Sequence, residues 1–446
     1  MKVPAKPPRW EPAFERALNT LRVAELFSEH LDDSQYLPWD RLRHKTPPDG
    51  IDHELWWVMV KLRRQVQQRE IVLRDMEGKP FHYALTDTIL RQCERITQRA
   101  SGEISIPELT VSAGDRDRYV VNSLIEEAIT SSQLEGASTT RRVAKQMIRS
   151  GRTPSTKSER MIMNNYRAME RIREWRDEPM TPDRVLELHR IVTEGTMEDP
   201  AEAGRVQTED DVRISVWGDG EQLLHRPPPA SELTDRLSRL CEFANGTDEG
   251  GPYLPVPVRA IIVHFMVGYD HYFVDGNGRT ARLLFYWCML RHHYWLTEYV
   301  TISRILKGAP SRYAASFLLT EDDDGDLTYF LMYHLQVFIR ALDDLRDYLA
   351  RKAQEIRVVR SKLDFIHSDL NHRQLALLDR ALHDPSAEFT VRSHGSSHRA
   401  SHETARQDLL ALEERGLLTK TKRGKAFVWL PGPALAGRRD ADDPRG

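Results

Sequence analysis

Two apolar runs near the middle of the chain dominate its hydrophobic pattern. Pro257 to Tyr269 (PVRAIIVHFMVGY) places Ala260, Ile261, Phe265 and Met266 at helical spacing with little polar surface, which predicts a helix buried on most sides. Arg282 to Leu290 (RLLFYWCML) is a second apolar run with no breaker. Between them, His271 to Arg282 reads HYFVDGNGRTAR, so the pattern predicts helix, tight loop, helix, with Gly276-Asn277-Gly278 as the loop.

The remaining periodic segments are mostly helical as well. A helix is predicted from about Asn122, with Leu124, Ile125, Ala128 and Ile129 on its apolar side and Gly136 as its C-cap. Ser158 to Trp175 is amphipathic, with Met161, Tyr166 and Met169 facing a core. Thr181 to Val192 opens on a Thr-Pro start and carries His189, read as structural, on its apolar side. Glu54 to Val72 reads as one half-buried helix, and Asp75 to Tyr83 as a turn or short hairpin around Gly78. Between 204 and 226 the pattern changes. Gln207, Thr208, Val212, Ile214 and Val216 predict strands, and Gly218-Asp219-Gly220 predicts a hairpin turn.

Toward the C-terminus the order is a helix at Asn371 to Leu382, a short strand at Glu388 to Val391, a helix at Ser401 to Gly416 and a hairpin at Leu417 to Leu430. Pro433 to Gly446 is expected to be a disordered tail.

Composition narrows the functional classes. A chain of 446 residues has length for two or three domains, and a formal net charge of -3 points to neither a nucleic-acid coat nor a membrane surface. Cys93, Cys241 and Cys288 lack metal-ligand spacing and read as reduced structural residues. No run reaches membrane-spanning length and the N-terminus lacks a signal-like apolar core, so a soluble, cytoplasmic protein is expected. The acidic run Glu321 to Asp326 reads as a solvated loop or, less simply, a cation site. His394, His398 and His402 have a spacing that suits a metal or merely a polar loop.

The candidate chemistry lies in the central loop. Two glycines let backbone approach a ligand closely, and the following helix opens with unpaired N–H groups at the positive end of its dipole. Such a bend can cup phosphates, with Arg279 and Arg282 adding fork-shaped donors. Asp275 can hold a hard cation such as Mg²⁺, and His271 can take a proton from a hydroxyl. Together these residue kinds describe phosphoryl or nucleotidyl transfer. By spacing alone the loop is more often a plain turn and His271 more often a capping or core residue.

The run resembles the signature of the Fic family (filamentation induced by cyclic AMP), His-x-Phe-x-Asp/Glu-Gly-Asn-Gly-Arg-x-x-Arg, matched at His271, Phe273, Asp275, Gly276, Asn277, Gly278, Arg279 and Arg282. Tyr272 departs from the family's usual Pro, which would loosen the start of the loop. The resemblance implies a protein adenylyltransferase, moving AMP from ATP to a Ser, Thr or Tyr hydroxyl of a target protein. It implies His271 as general base, Asp275 as Mg²⁺ ligand, Gly276, Asn277, Gly278 and Arg279 around the phosphates, and Arg282 on the γ-phosphate. A kinase branch of the family has Lys at the position of Gly278, so Gly favours AMP transfer.

Ser131-Ser132-Gln133-Leu134-Glu135-Gly136 resembles the family's inhibitory motif, Ser/Thr-x-x-x-Glu-Gly/Asn. Its place before the catalytic segment implies the class with an N-terminal inhibitory helix, in which Glu135 pairs with Arg282 and turns ATP from its productive pose; in some relatives the same carboxylate supports AMP removal. Taken alone, Glu135 has the wrong sign for the end of its own helix.

The expected fold is mainly α. A helical lead-in (1–115) precedes a Fic helical-bundle core (116–355), which includes the inhibitory helix (about 122–136) and a β-hairpin flap (about 204–226). A C-terminal winged helix-turn-helix unit (366–432) and the tail (433–446) follow. The flap position matches the one relatives use to clamp a target backbone by strand addition. DNA, through Arg399, the Thr404-Ala405-Arg406 helix start and the wing residues Lys420, Lys422, Arg423 and Lys425, is a candidate partner, as is a second copy of the chain. The alternative reading is a DNA-binding transcriptional regulator in which the Fic domain senses nucleotide or dimerises.

Overall fold

The computed structural model describes residues 3–20, 33–101, 113–213, 216–217, 223–246, 253–363, 370–384, 387–423 and 426–436. Along the chain these form α1 (Trp10–Thr20), α2 (His53–Gln65), the antiparallel pair β1 (Gln68–Arg74) and β2 (Pro80–Ala84), and α3 (Asp87–Ala100). There follow α4 (Ala113–Leu134), α5 (Arg141–Ser150), α6 (Lys157–Glu174) and α7 (Pro182–Thr193), then the two-stranded β3 (Val216–Trp217) and β4 (Leu223–His225). The second half holds α8 (Leu233–Asn245), α9 (Val256–Asp270), α10 (Asn277–Arg291), α11 (Ile302–Gly308), α12 (Pro310–Glu321) and α13 (Thr328–Leu363). Last come α14 (His372–His383), α15 (Val391–His398), α16 (His402–Glu414) and the hairpin β5 (Leu418–Arg423) with β6 (Ala426–Pro431).

The fold is mainly α, and the two apolar runs form its centre. Phe265 on α9, Tyr286 and Trp287 on α10, and Phe330 and Phe338 on α13 are fully buried in one continuous core. Burial of such side chains contributes about 1.5–3 kcal/mol each. Helix starts follow local chemistry: the hydroxyls of Thr140, Thr156 and Thr181 accept from the third residue on and open α5, α6 and α7. Cys93, Cys241 and Cys288 are free and buried. No described helix is long and apolar enough to cross a membrane.

The N-terminal segment is more than a helical lead-in. The predicted helix from Glu54 to Val72 ends at Gln65, and Gln68 to Arg74 pairs with Pro80 to Ala84. Pairing across the predicted Gly78 turn decides the matter, because Leu73, Phe81 and Tyr83 reach the main core only from strands. Nor is the acidic run a solvated loop. Asp323 and Asp326 are buried, and Lys61 on α2 donates to Asp323 at 2.7 Å. The hydroxyls of Tyr329 and Tyr36 donate to Asp323 and Asp326, each at 2.7 Å. Among the described residues, no group of three metal-ligating side chains is present.

Other expectations shift. Helix α4 begins at Ala113 rather than near Asn122. Gln207 to Val212 is a turn, not a strand, because the Asp211 carboxylate ties back Arg205 and the Thr208 N–H. Ile214 and the turn Gly218 to Gly220 lie outside the described residues. The strand at 388–391 reduces to one bridge, Phe389 to Trp429. His394 and His398 sit buried on α15, where His394 faces Asp408 at 3.1 Å, while His402 opens α16. Pro433–Ala436 is a helical turn with Leu435 buried, and 437–446 lies outside the described residues. The C-terminal helices and hairpin enclose a separate small core containing Leu378, Leu409, Leu412 and Trp429.

Replacing Lys61 leaves a buried carboxylate without its cation. Lys61→Met should therefore lower unfolding stability by about 3–5 kcal/mol in urea titrations. Glu77→Ala, on the exposed hairpin tip, should leave the urea midpoint where it is.

Candidate active site

The end of α9 is capped by side chains from distant segments. Its last carbonyls have no helical partner, and His271 turns the chain in the left-handed region at φ 51°. Arg213 donates to the carbonyls of Asp270 and His271, each at 2.7 Å, and to that of Pro228 at 3.0 Å. Gln207 meets the Tyr272 carbonyl through its backbone N–H at 2.9 Å and the His271 carbonyl through its side chain at 3.3 Å. His225, at the end of β4, faces the Tyr269 carbonyl at 2.9 Å and Glu321 at 2.6 Å. Both bases of the β3–β4 hairpin are thus pinned to the three residues Tyr269, Asp270 and His271.

Tyr272 does not loosen the loop. It is fully buried, and its hydroxyl donates to Asp270 at 2.6 Å. Burial pushes the Asp270 carboxyl up to about 6, against the pull of Arg236 at 3.2 Å. Arg236 also reaches the carbonyls of Arg74 and Asp75, so the N-terminal hairpin is braced on the same point.

Past the histidine the loop is held from below. Gly276, at φ 88°, packs where a Cβ would fall 2.9 Å from Thr193 and 3.2 Å from His189, so glycine is required both for space and for backbone. His189 stacks on Phe273 with ring centroids 3.7 Å apart. Its Nδ1 accepts from the Gly204 N–H at 2.9 Å, which leaves Nε2–H to donate to the Asp275 carbonyl at 2.8 Å. Burial pushes this imidazole down to about 4, consistent with that neutral tautomer.

Asn277 and Arg279 are turned inward. The Asn277 amide donates to the Phe273 carbonyl at 2.6 Å and accepts from its N–H at 3.0 Å, with His271 ring atoms 3.3 Å away. Arg279 is fully buried, reaching the Val192 carbonyl at 3.0 Å and Asp275 at 3.4 Å. Both brace the loop, whereas the sequence had them holding phosphates. The first turn of α10 has no side-chain cap, and Gly278 lies partly open above it. Asp275 is half exposed beside it, with Oδ1 accepting from the Gly276 N–H at 2.5 Å.

Arg282, one turn further, is 1% exposed and would be costly without an anion. Two residues, Ser131 on the last turn of α4 and Glu135 just past its end, meet that need. Glu135 Oε1 accepts from Arg282 at 2.8 Å, and the Ser131 hydroxyl and carbonyl accept at 2.8 and 3.1 Å. Glu127, two turns before Glu135, is buried against the Ser303 hydroxyl and N–H. Burial is the largest influence and works against the Arg282 charge, but Glu135, Tyr313 and Glu127 together hold the pKa above its ordinary value. The Glu135 carboxylate lies over Gly278, where no Cβ would fit. Its sign is wrong for the end of α4 and right for the start of α10. Gly136, at φ 91°, ends the segment.

The His271 ring is pushed down to about 4 by burial, with Arg213 and then His225 adding to the effect. It is therefore neutral near pH 7 and able to accept a proton. Beside it are an uncapped helix start, a half-exposed carboxylate and the Nη1 of Arg282, which has no hydrogen-bond partner among the described residues. The structure brings His271, Asp275, Gly276, Gly278, Arg282, Ser131 and Glu135 to one place. Arg213, Gln207, His225, His189 and Glu127 are the residues that sequence reasoning missed as part of it. Only His189 and Glu127 gave a signal, as polar residues on apolar helix faces.

Comparison with known proteins follows the same segment. The Fic/DOC family matches residues 179–289, which include the whole His271 to Arg282 run. Over 109 residues the chain is 34% identical to the protein adenylyltransferase fic-1 of Caenorhabditis elegans, covering 24% of this chain and 19% of that one. Over 111 residues it is 34% identical to the protein adenylyltransferase Fic of Culex quinquefasciatus, covering 25% and 19%. The chain thus spans about a fifth of the length of the curated relatives it matches. Among solved structures, a Fic family protein from Desulfovibrio desulfuricans G20 aligns over 79% of this chain and 98% of its own, at 19% identity and TM-score 0.48. The matched residues hold the capped end of α9, the glycine loop and the buried arginines, and it is over these residues that the chain is similar to the Fic/DOC family.

Proposed function

We propose that the chain is a self-restrained protein adenylyltransferase, moving AMP from ATP to a hydroxyl of a target protein. The observation that carries this reading is the Glu135 carboxylate on Arg282 at the uncapped start of α10, beside a neutral His271. An anion already occupies the place where a phosphate would be favoured by the helix dipole and the guanidinium together. In the active form the carboxylate gives way, Arg282 takes the terminal phosphate, and the open N–H groups from Asn277 to Arg279 face the others.

His271 then removes the proton from the acceptor hydroxyl. The freed oxygen attacks the α-phosphorus, the new P–O bond forms, and the bond to pyrophosphate breaks. Arg279 and Asn277 act by keeping the loop in shape. Asp275 fits a single carboxylate ligand for Mg²⁺, since it is half exposed at the rim of the cradle; the ion would supply neutralising charge to the phosphates. The β3–β4 hairpin, pinned by Arg213 and His225, is placed to align an extended target segment. Glu135 could alternatively orient water for AMP removal from a modified target. Residues 116–355 are taken as the catalytic unit, and the 366–432 unit as a winged helix that locates the enzyme or its target.

A second reading is a DNA-binding regulator. Its support is that Gln407 and Arg406 on α16, and Lys422 on β5, are exposed on the C-terminal unit.

Glu135→Gly should raise self-labelling from ATP by about two orders of magnitude, read by transfer of labelled AMP in gels. A rate equal to that of the parent would mean that Glu135 is no brake. Adding His271→Ala to that variant should return labelling to below about 1% of its rate. Because the His271 pKa is depressed, its basic form persists as pH falls. The Glu135→Gly rate at pH 5.5 should be within about twofold of that at pH 7.5, whereas an ordinary imidazole would lose about tenfold. A decline centred near pH 6.5 would count against the buried base.

A further inference from the structure

The C-terminal unit does not pack flush against the core. Between α5 on one side and α14 with the α15 start on the other lies a cleft of about 960 Å³. This is within the size range of small-ligand sites. Its charge is one-sided. Helix α5 sends Arg141, Arg142, Lys145 and Arg149 into it, and Arg380 on α14 enters from the facing wall. The one carboxylate in the lining, Glu388, is paired with Arg423.

Partial neutralisation comes from α4. Glu126 takes Arg141 and Lys145, and Asn122 accepts from Arg149 at 2.6 Å. Arg142 and Arg380 are exposed and enter from opposite walls with no carboxylate partner among the described residues, so the cleft keeps an excess of positive charge. Facing cations repel, and the two walls are nevertheless held together outside the cleft. Arg399 pairs with Glu170 at 3.7 Å, and the Arg392 guanidinium lies against Gly151 at the end of α5.

We infer that this cleft binds a small molecule carrying two or more phosphate groups. Guanidinium forks on opposite walls suit phosphate oxygens bidentately, and several phosphates are needed to meet both walls at once. A duplex would instead lie along an outer surface, since the gap is bounded by protein on two sides. The site is separate from the His271 loop and does not depend on the transferase reading.

The test is calorimetric titration of the full chain with inorganic tripolyphosphate at 0.15 M salt. Micromolar binding is expected, weakened at least about tenfold in Arg142→Glu/Arg380→Glu and less in Arg142→Gln/Arg380→Gln. Both pairs are surface changes, and unchanged thermal unfolding verifies that they fold. Arg282→Ala should keep full affinity. Three outcomes overturn the inference: no binding up to about 1 mM tripolyphosphate, a concentration about a thousandfold above the expected dissociation constant; affinity lost in Arg282→Ala but kept in the double variants; or displacement of the probe by duplex DNA with a steep salt dependence, which would assign the cations to a nucleic-acid backbone.

Discussion

A guanidinium sealed inside a protein must have an anion within reach, and Arg282 sets that condition for this structure. Its side chain is almost wholly excluded from water, on the helix that forms the centre of the core. Only a few groups could compensate it, and the end of helix α4 brings two of them, Ser131 on its last turn and Glu135 just past it. The register of α4 is fixed in turn by Glu127 against Ser303. Removal of the carboxylate therefore leaves a vacancy with a defined charge, and a phosphate is the natural replacement.

The second constraint is geometrical. A histidine in the left-handed region ends α9, so the carbonyls around it point away from any helical partner. Arg213, Gln207 and His225 take them, and all three belong to the segment that flanks the β3–β4 hairpin. The hairpin and the imidazole thus share one set of hydrogen bonds. A shift in either would be felt by the other through a path of direct contacts.

Much of this could be read before any coordinates, and the reason is locality. The loop residues from His271 to Arg282 are consecutive, glycine punctuates them, and the apolar runs on either side have helical periods. Threonine starts for α6 and α7 are equally local. What escaped notice acts at a distance. Arg213 is an ordinary arginine in a polar stretch until it lies under residues 57 and 58 positions away. Asp323 looks solvated until Lys61 arrives from 262 positions away. For Asn277 and Arg279 the resemblance implies phosphate contacts, whereas their contacts to Phe273, Val192 and Asp275 appear only once the loop is folded. Gln68 to Arg74 became strand because a partner strand, not its own propensity, decided its state.

The space above Gly278 has an evolutionary corollary. The Glu135 carboxylate rests where a side chain at that position would have to go. Under the proposed restraint, a lineage that gained such a side chain would have to move the carboxylate tip off that spot, so altered chemistry at the loop and loss of restraint would be inherited as one event. Descendants would then have to invent a different means of keeping quiet.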